Sequence, residues 1–179
     1  MKRGGGSQKG SAFERWVCKR LSEWAGGPDD LFWRTAGSGS RQTRGKHRTN
    51  QAGDVGALDP KVKWFTDAFY IECKFYRKFE WHSLLFKGRG NILNFWNKAM
   101  FQAAELERWP LLIGKENQIK PIIIFHSTMG LPLCPLFSLP VWDMEITWLE
   151  DILKLKPKGI RAILSTLKKE RVRPPSLHY

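Results

Sequence analysis

At 179 residues and 42% apolar, the chain is long enough for one domain with a real core and too apolar to be disordered. Lys plus Arg number 30 against 17 Asp plus Glu, a formal charge of +13 that points to a polyanionic partner: nucleic acid first, an anionic membrane surface second. No apolar run approaches the roughly 20 residues that span a bilayer. The basic start, Met1-Lys2-Arg3-Gly4-Gly5-Gly6, lacks the apolar stretch of a secretory signal. The expected location is therefore cytoplasmic or nucleoid-associated, not secreted. Cys18, Cys73 and Cys134 are odd in number and far apart, with no C-x-x-C, and the histidines are scattered, so neither a disulfide framework nor a zinc or haem site is indicated.

Residues 1–9, Gly-rich and basic, read as a flexible arm. Ser11-Ala12-Phe13-Glu14 fits a capping box opening a helix, on which Phe13, Val17, Leu21 and Trp24 share one face. Gly26-Gly27-Pro28 ends that helix, and Leu31 to Thr35 reads as a short strand. Between Asp30 and Asp54 no acidic residue occurs, while Arg34, Arg41, Arg44, Lys46 and Arg48 do, among Gly, Ser, Thr, Asn and Gln. Such a long basic loop is better explained by phosphate contacts than by simple solvation.

Asp54 to Leu58 predicts a strand and Asp59-Pro60 a turn. Phe69 to Tyr76 predicts a stronger strand, with Ile71, Cys73 and Phe75 on one face and Glu72 and Lys74 on the other. Residues 77–93 read as irregular and basic. A helix is predicted from about Leu93 to Arg108, then a buried strand from Ile119 to His126. Pro132, Pro135 and Pro140 divide the next stretch into short extended pieces. Two closing helices are predicted, Glu145 to Leu155 and Gly159 to Glu170. The element order predicts an α/β domain with a mixed central sheet.

Glu72-Cys73-Lys74 places a carboxylate and an ammonium side by side on one strand face. Alone, this is an ordinary surface ion pair. With Asp54 beside the preceding strand and a basic loop next to it, two carboxylates and a lysine form a metal-dependent phosphodiesterase constellation. Carboxylates are the hard oxygen ligands Mg²⁺ prefers. Bound metal acidifies water and stabilises charge on phosphate, and Lys74 can orient that water or neutralise the developing negative charge.

Four segments in order, Lys9 to Arg15, Arg34-Thr35-Ala36-Gly37-Ser38-Gly39-Ser40, Gly53-Asp54-Val55 and Glu72-Cys73-Lys74, resemble motifs of the archaeal-type Holliday junction resolvases of the PD-(D/E)XK nuclease superfamily. The resemblance covers residues 9–74 and continues weakly to about residue 126. It implies a restriction-endonuclease-like core with helices flanking a mixed sheet. It also implies a homodimer that nicks four-way junctions symmetrically, with Mg²⁺ as cofactor and Mn²⁺ able to substitute. Carried over by position, Glu14, Ser38, Asp54, Glu72 and Lys74 are catalytic. Glu14, Asp54, Glu72 and the Cys73 carbonyl hold metal, and Gln102 supports the site. Arg15, Arg34, Arg41, Arg44, Lys46 and Arg48 are the expected DNA contacts.

Plainer readings stand beside these: Glu14 as a helix-capping glutamate, Ser38 as loop chemistry, Gln102 as a satisfied polar residue on an apolar helix. Trp81 has two readings, packing or stacking on an unpaired base. The expected organisation is an arm (1–9) and one nuclease domain (10–179), with a core at 10–130 and a divergent part at 131–179. That last part holds Trp142, Trp148, Leu149, Ile152 and Leu153, the expected source of a dimer interface. The rival functions are a flap- or nick-cutting nuclease of the same superfamily and a non-catalytic DNA-binding protein.

Overall fold

The computed structural model describes residues 5–27, 30–35 and 52–167. In chain order the elements are α1 (Gly5–Trp24), β1 (Phe32–Arg34), β2 (Val55–Ala57), a 3-10 turn (Pro60–Val62), α2 (Lys63–Ala68), β3 (Phe69–Tyr76), α3 (Trp81–Lys87), α4 (Asn91–Glu105), β4 (Trp109–Glu116), β5 (Ile122–His126), β6 (Phe137–Leu139), β7 (Met144–Trp148), α5 (Leu149–Lys154) and α6 (Pro157–Thr166). A five-stranded sheet has the order β3-β4-β5-β7-β6, and β1 and β2 form a separate antiparallel pair. β3 runs parallel to β4, and the other pairings are antiparallel. Parallel neighbours need a long crossover, which α3 and α4 supply.

Helices cover both faces of the sheet. On one face Phe13, Val17 and Leu21 of α1 pack with Ile71 and Cys73 of β3, Ile113 of β4 and Ile160 of α6. On the other, Ile92, Trp96 and Met100 of α4 pack with Leu112, Ile122, Ile124 and Ile146. β4 and β5 are covered on both sides and are buried almost throughout, as strands between two helical layers should be. This is the mixed-sheet α/β core the sequence predicts.

Several elements depart from expectation. α1 begins at Gly5, so Ser11 is not its cap and Glu14 lies within the helix, not in its first turn. No proline or β-branched residue between Gly5 and Gly10 stops the helix from running back past Ser11. The irregular stretch contains α3, anchored by Leu84, which is fully buried. β4 was not expected at all. Met144–Trp148 is a strand, and the helix begins only at Leu149. In the C-terminal part, β6 and β7 belong to the sheet, and Leu149 and Ile152 are buried in its core. Those two residues therefore cannot form a subunit interface.

Candidate active site

The site is built on β3, which forms one edge of the five-stranded sheet. The chain approaches that edge through Gly53 and Asp54. Gly53 has φ +81°, and a Cβ there would lie 2.6 Å from the Ile71 carbonyl oxygen. Only glycine allows both the left-handed backbone and this approach. Asp54 N–H then donates to Ile71 O at 2.8 Å, and the Asp54 carboxylate accepts from Cys73 N–H at 2.7 Å. In an extended strand the N–H and C=O of one residue point the same way. The Cys73 carbonyl therefore faces the edge where Asp54 sits. Thr35 secures the approach from β1: its N–H donates to Asp54 O at 3.1 Å, and its hydroxyl donates to Gly53 O.

Alternation along β3 puts Tyr70, Glu72, Lys74 and Tyr76 on the α4 side. Glu72 is buried and forms an ion pair with Lys74. Burial alone would lower the Lys74 pKa. The Glu72 carboxylate outweighs it, with help from Asp54, and holds the ammonium above its ordinary value. The Tyr70 hydroxyl, 1% exposed, lies 3.0 Å from the second Glu72 oxygen and also contacts the Gln102 amide of α4. A hydroxyl carries one proton. The consistent arrangement has Tyr70 donating to Glu72 and the Gln102 amide N–H donating to Tyr70. Burial first, then Glu72, pushes the Tyr70 phenol far up, so it stays a donor.

On the other face, Glu14 of α1 is ion-paired with Arg34 of β1. Ser22 holds these elements together: its hydroxyl donates to Cys18 O and accepts from Phe32 N–H, both at 3.0 Å. Glu14, Asp54 and Glu72 converge electrostatically on one buried thiol. Burial raises the Cys73 pKa most, and all three carboxylates raise it further.

The structure thus brings together Asp54, Glu72, Lys74, the Cys73 carbonyl and Gln102, with Glu14 close by. Arg15 is exposed on α1 beside Glu14. Arg34, an expected DNA contact, is ion-paired with Glu14. Ser38, Arg41, Arg44, Lys46 and Arg48 lie outside the described residues. Trp81 packs: its indole N–H donates to Glu116 at 3.0 Å, and its ring meets Phe79 edge-on. Tyr70 was missed by sequence reasoning. Its position two residues before Glu72, on the same strand face, was the available signal. A groove of about 780 Å³, lined by Trp24, Trp64, Lys158 and Arg161 among others, includes none of these carboxylates. The candidate carboxylates sit instead at the edge strand of the sheet.

The donor set fits a hard divalent cation. Two buried carboxylates and a backbone carbonyl converge on one edge, and Mg²⁺ typically takes one or two carboxylates, keeping water and substrate phosphate as its other ligands. Among the described residues no group of three or more His, Cys, Asp or Glu side chains is placed to hold a metal ion. No helix is long and apolar enough to cross a membrane, among the described residues. A family model described as "Phage putative PDDEXK endonuclease" matches residues 5–137. No curated protein and no solved structure matches the chain.

Proposed function

Because this chain belongs to the phage PDDEXK endonuclease family and is accordingly a nuclease, we propose that it is a Mg²⁺-dependent endonuclease of branched DNA, with four-way junctions as its first substrate. The observation that carries the hydrolytic reading is the meeting of Asp54, Glu72 and Lys74 on one edge of β3. A purely DNA-binding protein has no use for buried carboxylates beside a phosphate path. The order and spacing of the Glu14, Ser38, Asp54 and Glu72 motifs support the junction substrate.

Asp54 and Glu72, with the Cys73 carbonyl, would hold the cation, and Glu14 would add negative charge beside it. When bound, the metal supplies an acidified water and charge stabilisation at the phosphate. Asp54 is fixed for its task by the Cys73 N–H, and Glu72 by Tyr70 and Lys74. Lys74, held protonated, cannot serve as a general base at neutral pH. It donates hydrogen bonds to the attacking water or to the non-bridging phosphate oxygens, and so offsets charge as it develops. Gln102 keeps the Tyr70 hydroxyl turned toward Glu72.

Two symmetric cuts need two sites, so we propose a homodimer on the junction. The test incubates the protein and Mg²⁺ with four-way junction, flap, nicked and linear DNA, maps the cuts, and repeats the assay with Asp54→Asn and Glu72→Gln. Paired symmetric nicks in the junction, lost in both variants while DNA binding persists, are the expected result. Preferential cutting of flaps or nicks would replace the junction reading. Cleavage by Asp54→Asn at the wild-type rate would remove the site assignment.

A further inference from the structure

We infer that residues 77–98 form a second DNA-backbone-binding surface, in which Arg77, Lys78, Arg89 and Lys98 hold phosphates beside the cleavage site. The inference rests on the nuclease reading above and adds to it a surface on elements that reading leaves unused. All four side chains are exposed, and none has an acidic partner among the described residues. Elsewhere some exposed cations, Arg20, Lys63, Lys120 and Lys154, are paired with a nearby carboxylate. Others, Lys61, Lys156 and Lys158 among them, have no acidic partner among the described residues, so position beside the site is what sets the four apart. Exposed positive charge left without partners, beside a catalytic edge, matches a polyanion.

The segment is held in place, so its charges are presented at fixed positions. Phe79 N–H and the Trp81 indole N–H both donate to the buried Glu116 carboxylate, at 3.2 and 3.0 Å. Glu80 N–H donates to the Asn91 side chain at 3.1 Å, and Asn91 N–H donates back to the Glu80 carboxylate at 3.0 Å. The Asn91 amide also donates to Lys78 O at 3.3 Å. This ties the Lys78 backbone to the start of α4. Glu80 is the one acid between Arg77 and Lys98, and it is engaged in this clasp.

Helical geometry then places Lys98 at the rim of the site. On α4, Phe95 lies under the Lys74 ammonium, 5.8 Å from ring centre to nitrogen, and Gln102 meets Tyr70. Residue 98 falls one turn from each, on the solvent side of the stripe they form. Asn91 lies seven residues earlier on the same stripe, about 10 Å along the axis at 1.5 Å per residue. Lys78, Asn91, Lys98 and Gln102 therefore trace a line from the end of β3 to Glu72. Phosphate contacts on this second line would hold the duplex on the α4 side.

The test measures binding to duplex and four-way junction in EDTA, so that nothing is cut, across a salt series. The Arg77→Ala/Lys78→Ala/Arg89→Ala/Lys98→Ala protein is compared with wild type and with a control of equal charge loss, Lys61→Ala/Lys156→Ala/Lys158→Ala/Arg161→Ala, of which Lys61, Lys158 and Arg161 line the separate groove. Each phosphate contact contributes about 0.9 to the slope of log K against log salt. The surface variant should flatten the slope by about 3.6 and weaken junction and duplex binding alike, while the control keeps the wild-type slope. The single charge reversal Lys98→Glu should weaken binding in the same direction if the fourfold variant melts early. An unchanged slope in the surface variant, or an equal loss in the control, overturns this surface while leaving the nuclease reading intact. Wild-type protein that binds no DNA overturns both.

Discussion

Replacing Gly53 with alanine tests how the catalytic edge is assembled. The new Cβ would meet the Ile71 carbonyl oxygen at 2.6 Å and the Ile71 nitrogen at 3.1 Å, both backbone atoms of a strand held in the sheet. The residue would also have to keep φ +81°, at about 1 to 2 kcal/mol for a side chain in the left-handed region. Relieving the contact moves Asp54 off β3 and weakens its 2.8 Å bond to Ile71 O, a further loss of about 0.5 to 1.5 kcal/mol. The sum is about 1.5 to 3.5 kcal/mol, or a fall of roughly 3 to 14 °C in Tm for a chain of this size. At temperatures where the variant is folded, cleavage should fall by about 10²-fold, because a carboxylate displaced by the order of 1 Å no longer meets its partners. Differential scanning fluorimetry and single-turnover cleavage are run side by side. A Gly53→Ala protein that melts within about 1 °C of wild type and cuts at the wild-type rate would show that the close approach to Ile71 does not matter.

Other outcomes follow from the same geometry. Lys74→Ala should slow single-turnover cleavage by about 10²-fold or more; a loss under about threefold would leave Lys74 as only the Glu72 ion-pair partner. Tyr70→Phe removes the hydroxyl between Glu72 and Gln102 and should raise the Mg²⁺ concentration at half-maximal cleavage by about 10-fold, with no change in metal-free DNA binding. Thr147 is fully buried, and its hydroxyl has no hydrogen-bond partner among the described residues. Thr147→Val should therefore stabilise the fold, by about 1 kcal/mol in urea unfolding, and a destabilised variant would mean that the hydroxyl is satisfied. The Cys18 thiol is pushed up to about 12 by burial, with Glu14 and Asp54 adding to it. Its raised folded pKa contributes stability below pH 9 that is lost as pH climbs from 9 toward 12, because the unfolded thiol ionises first. Cys18→Ala should flatten the alkaline limb of the stability curve, and an unchanged limb would assign the loss to other groups.

The sequence was most informative where local pattern and burial agreed. The eight residues of β3 were legible to both ends, because a β-rich run with charges on one face leaves little choice. α4 was legible from its apolar spacing. β7 was mistaken for helix because Ile146, Leu149 and Leu153 also fit a helical stripe. The strand runs into α5 with Trp148 as the cap and no breaker between them. β4 was hidden because Pro110 and Gly114 make its run look interrupted, although its partners on both sides supply the burial. At the site, the meeting of Asp54, Glu72 and Lys74 on one strand edge was readable from residue type and order. The Glu14–Arg34 pair and the Tyr70–Gln102 contact join residues far apart in the chain. No local signal reports such contacts.

Asp54 has a second consequence, for colloidal behaviour. β3 is a mostly apolar strand at the sheet's boundary, the kind of edge on which another chain can template itself. Its outward Ile71 carbonyl and Cys73 amide, the groups such a chain would grasp, are already taken by the backbone and side chain of one aspartate. The negative charge placed there also repels an incoming strand. The residue proposed to hold metal thus closes the sheet against self-association, so substitutions at Asp54 should bear on solubility.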